Sequence, residues 1–509
     1  MQVGDTLIGI SQRWLVPGAD WRDLRRVNRI ANVRRLVPGS VLQVPLALLR
    51  QQALMAEVLY THGEVSVQKS GGAMLGLTSG AKLSAGDLVR TGPQSSAALR
   101  FADGSRVLLR PGSVLRIERM VRLGDSEAVD TQLRLDEGGA DTRVPKLSSP
   151  RFEIRTPVVN LGVRGTDFRT RAEPTRTAVE VIEGIVAGSA GSAAAAAARS
   201  IEAGFGALAS PTGVASPSPL LAAPDLQAVA SRIDRLPLRL SWQAAASGTS
   251  YRAQVFDGTE SDRLVLDGLF DNPSARWADD LPDGRYRLLV RAVDASGLEG
   301  RDASTTFTLK ARPEPPFLTR PRAAERSADE TVLFAWTRNA ASARYRLQVA
   351  DTPDFIAPRL DRNDIAASEH LMPLPVGTHH WRMASIRADG DMGPWSDAQT
   401  VVRIAPPPAP APQPPQTTDD GVLLMWAGTA GARYQLQVAH DDRFAELLHD
   451  ERLEAAQWLL RQPEPGRYFV RVRSIDADGF VGPFGAPQQV EVKSSNWWWL
   501  LLPAALLLL

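Results

Sequence analysis

The stretch Phe334-Ala335-Trp336, followed by Tyr345-Arg346-Leu347-Gln348-Val349, decides the fold class of about half of this 509-residue chain. Tyr345, Leu347 and Val349 alternate with Arg346 and Gln348, so a strand here has one apolar and one polar face. The same words recur as Leu240-Ser241-Trp242 with Tyr251-Arg252-Ala253-Gln254-Val255, and as Leu424-Met425-Trp426 with Tyr434-Gln435-Leu436-Gln437-Val438. A later strand also recurs. It begins at Gly284-Arg285-Tyr286, Gly377-Thr378-His379 and Gly466-Arg467-Tyr468, and ends at Gly297, Gly390 and Gly479 with identical spacing. A period of roughly 90 residues is too long for a solenoid unit and suits a β-sandwich. One Trp per repeat supplies a large core anchor. Asp257-Gly258, Asp283-Gly284, Asp389-Gly390 and Asp478-Gly479 mark turns. Pro406-Pro407-Pro408-Ala409-Pro410-Ala411-Pro412 is expected to be a semi-rigid spacer before the third repeat.

These repeats resemble fibronectin type III domains. The family's early-strand Trp matches Trp242, Trp336 and Trp426. Its later strand matches Tyr286, Ala292, Asp294 and Gly297 in the first repeat, and Tyr468, Ser474, Asp476 and Gly479 in the third. The second repeat departs, with His379 in the Tyr position and Arg387 in the acidic one, but keeps Gly393-Pro394-Trp395-Ser396. Such sandwiches mostly space, display or bind, so the resemblance speaks for fold rather than function.

Outward from the repeats, bulk properties bound the rest. A chain of this length holds several cores. The net charge of +1 leaves no whole-chain field for a polyanion. The absence of cysteine excludes disulfides, thiol catalysis and Cys-ligated zinc.

At the other end, Gly4-Asp5-Thr6-Leu7-Ile8-Gly9-Ile10-Ser11 makes a turn into a helix that Asp5 or Thr6 can cap. Leu7, Ile10, Trp14 and Leu15 form its apolar face. A second helix is expected from Trp21 to Asn28, then a turn at Val37-Pro38-Gly39-Ser40 into the strand Val41-Leu42-Gln43-Val44-Pro45. This β-α-α-β order resembles the LysM family. The resemblance implies binding of N-acetylglucosamine polymers, chiefly peptidoglycan, at Gly4, Asp5, Thr6 and Leu7 and, opposite, Ile30, Ala31, Asn32 and Pro38. Structural capping by Asp5 or Thr6 is the competing role for those two residues. Only residues 1–3 precede the Gly-Asp turn, so we expect the natural start to lie upstream, with the missing strand and an export signal. Arg22, Arg25, Arg26, Arg29, Arg34 and Arg35 form a basic face, read as solvated near acidic wall polymers rather than as a nucleic-acid site.

Between these ends, residues 57–186 carry many short strands, including Ala98-Leu99-Arg100-Phe101 joined to Arg106-Val107-Leu108-Leu109 through Asp103-Gly104. Thr156-Pro157, then Val163-Arg164-Gly165-Thr166-Asp167-Phe168, then Glu183-Gly184 resemble the FecR domain. In that family the domain is periplasmic and relays a signal to a sigma factor through a separate membrane segment. A LysM-like module stands in that segment's place here, so the resemblance carries over the setting and not the signalling. Arg164, Gly165, Thr166, Asp167 and Phe168 are expected to be structural or partner-binding.

The expected architecture is mainly β and multidomain: a LysM-like module at 1–46, an all-β FecR-like domain at 57–209 and an Ala/Ser/Pro linker at 210–236, within a wider Ala/Ser/Pro/Gly-rich stretch at 187–224 that has room for a short helix near Ala193 to Ala198. Sandwiches follow at 237–311, 316–405 and 416–493, and a hydrophobic tail at 494–509. The tail is about half to two-thirds of a bilayer span and opens on Trp497-Trp498-Trp499. A membrane anchor, a segment tucked against a partner and a tail without a role all remain open. Neither a phosphate loop, a Gly-x-Ser-x-Gly elbow nor a His-Glu-x-x-His helix occurs. His379 and His380 face opposite ways on one strand and cannot easily share a metal. We therefore expect no catalytic residue, no cofactor, no metal and no nucleic-acid partner. The expected function is a non-enzymatic envelope protein with peptidoglycan and an envelope protein as partners, and membrane contact through the tail. A periplasmic sensor acting through the FecR-like domain and a wall-modifying enzyme are the alternatives.

Overall fold

The computed structural model describes residues 1–125, 128–146, 151–190, 198–260 and 262–493. The hydrophobic tail and most of the alanine run lie outside the described residues. The chain divides into two compact units, Met1–Ala311 and Arg312–Leu509.

The first unit opens with two short helices. Helix α1 spans Leu7–Trp14 and is capped by Thr6, whose side chain accepts from the Gly9 N–H. Helix α2 spans Trp21–Val27 and begins with a capping box between Asp20 and Asp23. Leu7, Ile10, Leu15 and Leu24 form a small buried core between them. The segment 41–45 does not join a strand ladder. Its Gln43 N–H and C=O are instead bonded by the side chain of Asn28, at 2.6 and 2.7 Å. The primary amide of Asn28 thus stands in for a neighbouring strand, and Met1 bonds to the backbone of Gly39 and Ser40. The strand Gln51–Ala53 leaves this module and pairs with Val121 to Leu123 of the next domain. Gly124, at φ +60°, follows that pairing, and a Cβ there would meet the Trp14 ring at 2.3 Å.

The next domain is one closed antiparallel-rich sheet running from Gln51–Ala53 to Ser218–Pro219. Its spine is the fifteen-residue strand Val129–Arg143, which pairs with Val114–Leu123, Arg106–Leu109 and Val159–Ala172. The expected hairpin forms, with Arg100 opposite Arg106. Alternating side chains such as Leu99, Leu115, Leu133, Phe152, Phe168 and Val181 fill its interior. The expected linker at 210–236 is largely structured. Val214 pairs with Ala209, Pro219 with Phe205, and Ile233 with Leu309. Leu226 is buried in the core of the following sandwich. The few apolar residues in this small-residue stretch are spaced to reach both neighbours.

The first sandwich sets Leu238–Ser241 with Ser274–Trp277 against a five-stranded sheet. The second unit holds the two other sandwiches, each with a three-stranded sheet and a larger one. The repeated words occupy equivalent places. Trp242, Trp336 and Trp426 meet Tyr251, Tyr345 and Tyr434 edge to face at 5.7, 5.7 and 5.4 Å. Each of those tyrosine hydroxyls accepts a backbone N–H from the loop before its strand. The proline stretch is not a free spacer: Gln413 bonds to Met425 and Ala427 to Ala411, so its end lies along the edge of the third sandwich.

Candidate functional site

In the N-terminal module the two candidate glycan loops flank the small core. Gly4 has φ +90° and open space around its Cβ position. Asp5 accepts from the Gln2 N–H at 2.7 Å and from Arg13 at 2.8 Å. The Gln2 N–H, ahead of the Arg13 charge, holds its carboxyl below the usual range. Thr6 is therefore the cap and Asp5 braces the turn. Leu7 is buried, and Ile30 packs on the same cluster. Ala31, Asn32 and Pro38 are exposed. Asn32 accepts from the Arg34 N–H at 2.9 Å, which shapes the loop and leaves its amide nitrogen outward-facing chemistry to offer. Backbone groups, one amide and apolar edges are the groups that sugar recognition uses.

The motif Arg164-Gly165-Thr166-Asp167-Phe168 makes a bulge in the long hairpin of Val159–Ala172 and Thr177–Ala190. Arg164 faces Ile185 and Asp167 faces Glu183, so Gly165 and Thr166 oppose the single residue Gly184. Gly165 and Gly184 have φ of +61° and +83°, and a Cβ on Gly184 would meet the Gly165 carbonyl at 2.6 Å. Thr166 Oγ1 donates within the bulge, to Arg164 O or Ile185 O, both at 3.1 Å. Phe168 is fully buried. The Gly-Thr and Glu-Gly words thus encode backbone geometry. Arg164 does not pair with Asp167. Asp167 binds Arg143 at 2.9 Å, and Glu183 binds Lys146 at 2.6 Å. Burial raises the Asp167 pKa against the opposing charge of Arg143.

Asp167 also lines a cavity of about 350 Å³ between the barrel and the first sandwich, with Arg106, Asp141, Arg143, Asp262, Arg287 and Asp302. Its charges are of both signs. Beside it lies the most deeply buried polar cluster of the first unit. Glu299 of the sandwich is fully buried and accepts from Arg110, Arg171, Arg252 and Arg291 at 2.9 to 3.2 Å. Its N–H donates to Glu180 of the barrel at 3.1 Å. Arg169 reaches across to Asp302 and to the Gly300 carbonyl at 2.8 and 2.7 Å. Burial pushes the Glu299 pKa up, but the charges of Arg110, Arg291 and Arg252 outweigh it and hold the group well below the carboxylate range. Glu180 goes the other way: burial, unmatched by Arg169 and reinforced by Glu299, raises it.

Sequence reading missed this cluster. Arg291 and Glu180 each occupy a strand position between apolar neighbours, the pattern of an outward face, and Arg169 stands between Phe168 and Thr170. Here that face is covered by a second domain, and nothing within one strand signals it.

His379 has a structural place. His379 is buried and its Nε2 lies 2.9 Å from the Pro375 carbonyl. Tyr286 and Tyr468 make the same bond to the carbonyl four residues back, at 2.7 and 2.9 Å. Among the described residues no group of three His, Asp or Glu is arranged to hold a metal. Among them, too, no helix is long and apolar enough to cross a membrane.

With this geometry in hand, residues 2–45 match the family model of the LysM domain, and residues 87–187 match that of the FecR protein. The chain thus joins a LysM domain to a FecR domain and continues into β-sandwiches. No curated protein matches the chain. Among solved structures, the FN1–FN3 domains of chicken CNTN1 are similar at 14% identity, over 50% of this chain and 94% of that one, with a TM-score of 0.25. A "putative anti-sigma factor" from Parabacteroides distasonis is similar at 20% identity, over 26% of this chain and 59% of that one, with TM-scores of 0.22 and 0.21 in two crystal structures.

Proposed function

We propose that this is a non-enzymatic bacterial cell-envelope protein that holds peptidoglycan through its N-terminal module and carries the barrel and sandwiches as interaction domains. The observation that carries this reading is the LysM match at residues 2–45. Loops 4–7 and 30–38 supply the contacts, through Gly4, Asp5, Thr6, Ala31, Asn32 and Pro38, whereas Leu7, buried in the core, and Ile30, packed on it, anchor those loops rather than touch the sugar. LysM domains bind N-acetylglucosamine-containing glycans, and LysM and FecR domains are typical of the bacterial envelope. Neither family is catalytic, which supports the non-enzymatic reading. The full chain should sediment with purified murein sacculi, and Asn32→Ala should weaken that association. Failure of the wild-type chain to sediment would sink the proposal. Clearing of a peptidoglycan gel would replace it with a wall-modifying activity.

A second reading, a periplasmic sensor or relay, draws on the FecR match at 87–187. Its partner would be an envelope protein recovered by crosslinking in intact cells.

A further inference from the structure

The N-terminal module is far more basic than the chain that carries it. Residues 1–46 contain seven arginines and three aspartates, an excess of +4, whereas the whole chain is +1. Each aspartate is already committed. Asp5 pairs with Arg13 at 2.8 Å, Asp20 with Arg22 at 2.7 Å and Asp23 with Arg26 at 2.5 Å. Arg25, Arg29, Arg34 and Arg35 are exposed and have no carboxylate partner among the described residues. These four are not scattered. Arg25 donates to the Ile30 carbonyl at 3.2 Å, and Arg29 directly precedes Ile30. Arg34 and Arg35 follow Asn32 in the same loop. Ile30 lines a shallow depression together with Trp21, Arg22, Arg25, Arg26 and Arg29. The uncompensated guanidinium groups therefore border the loop assigned to the glycan.

Arg29 also ends helix α2. Its φ is +50°, in the left-handed region that glycine or asparagine normally occupies after a helix. That conformation lets the Ile30 N–H bond to the Arg25 carbonyl at 3.1 Å. A long cationic side chain thus sits at the position that ends helix α2, where the backbone favours glycine.

A neutral N-acetylglucosamine polymer can accept hydrogen bonds from these four guanidinium groups but carries no charge to compensate theirs. Peptidoglycan differs from chitin in carrying peptide stems with free carboxylates beside the sugars. We infer that Arg25, Arg29, Arg34 and Arg35 form a second subsite that binds the stem-peptide carboxylates while the adjoining loops hold the sugars. This deepens, and rests on, the glycan reading above. Exposed charge pairs are individually weak, and four together amount to about tenfold in affinity at low salt. Their contribution falls as ionic strength rises.

The test uses the full chain against four probes: intact sacculi, the same sacculi with carboxylates amidated by carbodiimide, neutral chitohexaose and short duplex DNA. The wild-type chain is expected to bind intact sacculi about tenfold more tightly than amidated ones. The combined Arg25→Gln, Arg29→Gln, Arg34→Gln, Arg35→Gln variant should lose that difference and keep chitohexaose binding. Replacement of all four by Lys should restore it. A triple variant that leaves Arg25 intact guards against loss of the Arg25–Ile30 bond. Equal binding to both sacculi with chitohexaose retained overturns the subsite and leaves the glycan reading standing. Loss of chitohexaose and sacculi binding in the wild-type chain overturns both. DNA binding tighter than sacculi binding, abolished in the variant, makes the patch a nucleic-acid site and also overturns the proposal.

Discussion

Arg110 of the barrel donates through Nη1 to both carboxylate oxygens of Glu299 in the first sandwich, at 2.9 and 3.1 Å, across 189 residues of sequence. Their side chains are 4% and 0% exposed. Desolvating these charges is costly, and they are held because Glu299 faces Arg171, Arg252 and Arg291 as well as Arg110, while Arg110 also faces Asp141. The contact joins the barrel to the first sandwich. An apolar seam of Phe256, Leu264 and Leu289 with Leu108 runs beside it.

Glu299→Gln should therefore be severe. It leaves Arg110 and Arg291, both fully buried, facing an amide. A loss of about 3–5 kcal/mol is expected. Calorimetry of the full chain should show the transition of the first unit moving down while that of the second unit stays. A change below about 1 kcal/mol would mean that water or another carboxylate compensates the arginines.

The two buried glutamates should respond to pH with opposite sign. The folded pKa of Glu299 is depressed below its usual 4.5, so its contribution is present above that value and disappears as pH falls through the lowered folded pKa. Glu180 has a raised folded pKa, so its contribution is greatest in acid and is lost as pH rises from 4.5 through the raised value. Denaturation across the acid-to-neutral range should show Glu180→Gln removing part of the decline toward neutral pH and costing less at pH 7 than Glu299→Gln. Parallel pH profiles for the two variants would contradict this assignment.

Asn28→Ala should loosen the N-terminal module. It removes the donor and the acceptor that satisfy the Gln43 backbone. Two lost bonds on a partly exposed segment correspond to about 1–2 kcal/mol. Hydrogen exchange at the Gln43 amide should accelerate markedly, and sacculi binding should weaken with it. Unchanged protection of Gln43 would show that another group holds the segment.

His379→Tyr should be close to neutral, within about 1 kcal/mol, because tyrosine in the matching place of the other two sandwiches already bonds the equivalent carbonyl. His379→Ala should cost about 2–4 kcal/mol through the cavity and the unpaired Pro375 carbonyl. Thermal unfolding of the second unit distinguishes the two. An equally large loss in both variants would show that the Asp351 contact, 2.8 Å from Nδ1, is the dominant interaction.

Local words foretold local structure well. The Thr6 cap, the 98–109 hairpin, the Trp–Tyr pairs and the Tyr-for-His exchange at 379 all follow from alternation, capping and turn chemistry. The strand expected at 41–45 did not form a ladder, because a side chain, Asn28, took the neighbouring strand's bonds. The expected linker at 210–236 became structured, because Leu226 and Ile233 found cores that composition alone does not reveal. The LysM loop residues were named in sequence; the four uncompensated arginines emerged only once each aspartate's partner was known.

By itself the amino-acid order determined the repeating sandwiches and the two helices, since each depends on residues close along the chain, whereas the bulge at Gly165 and Gly184 emerged only from the pairing of the two long strands. The burial of Glu299, Arg110 and Arg169 was decided only when two separately legible domains met. Charge on a strand's outer face has the same pattern whether water or another domain lies opposite, and only the tertiary fold supplies what lies opposite.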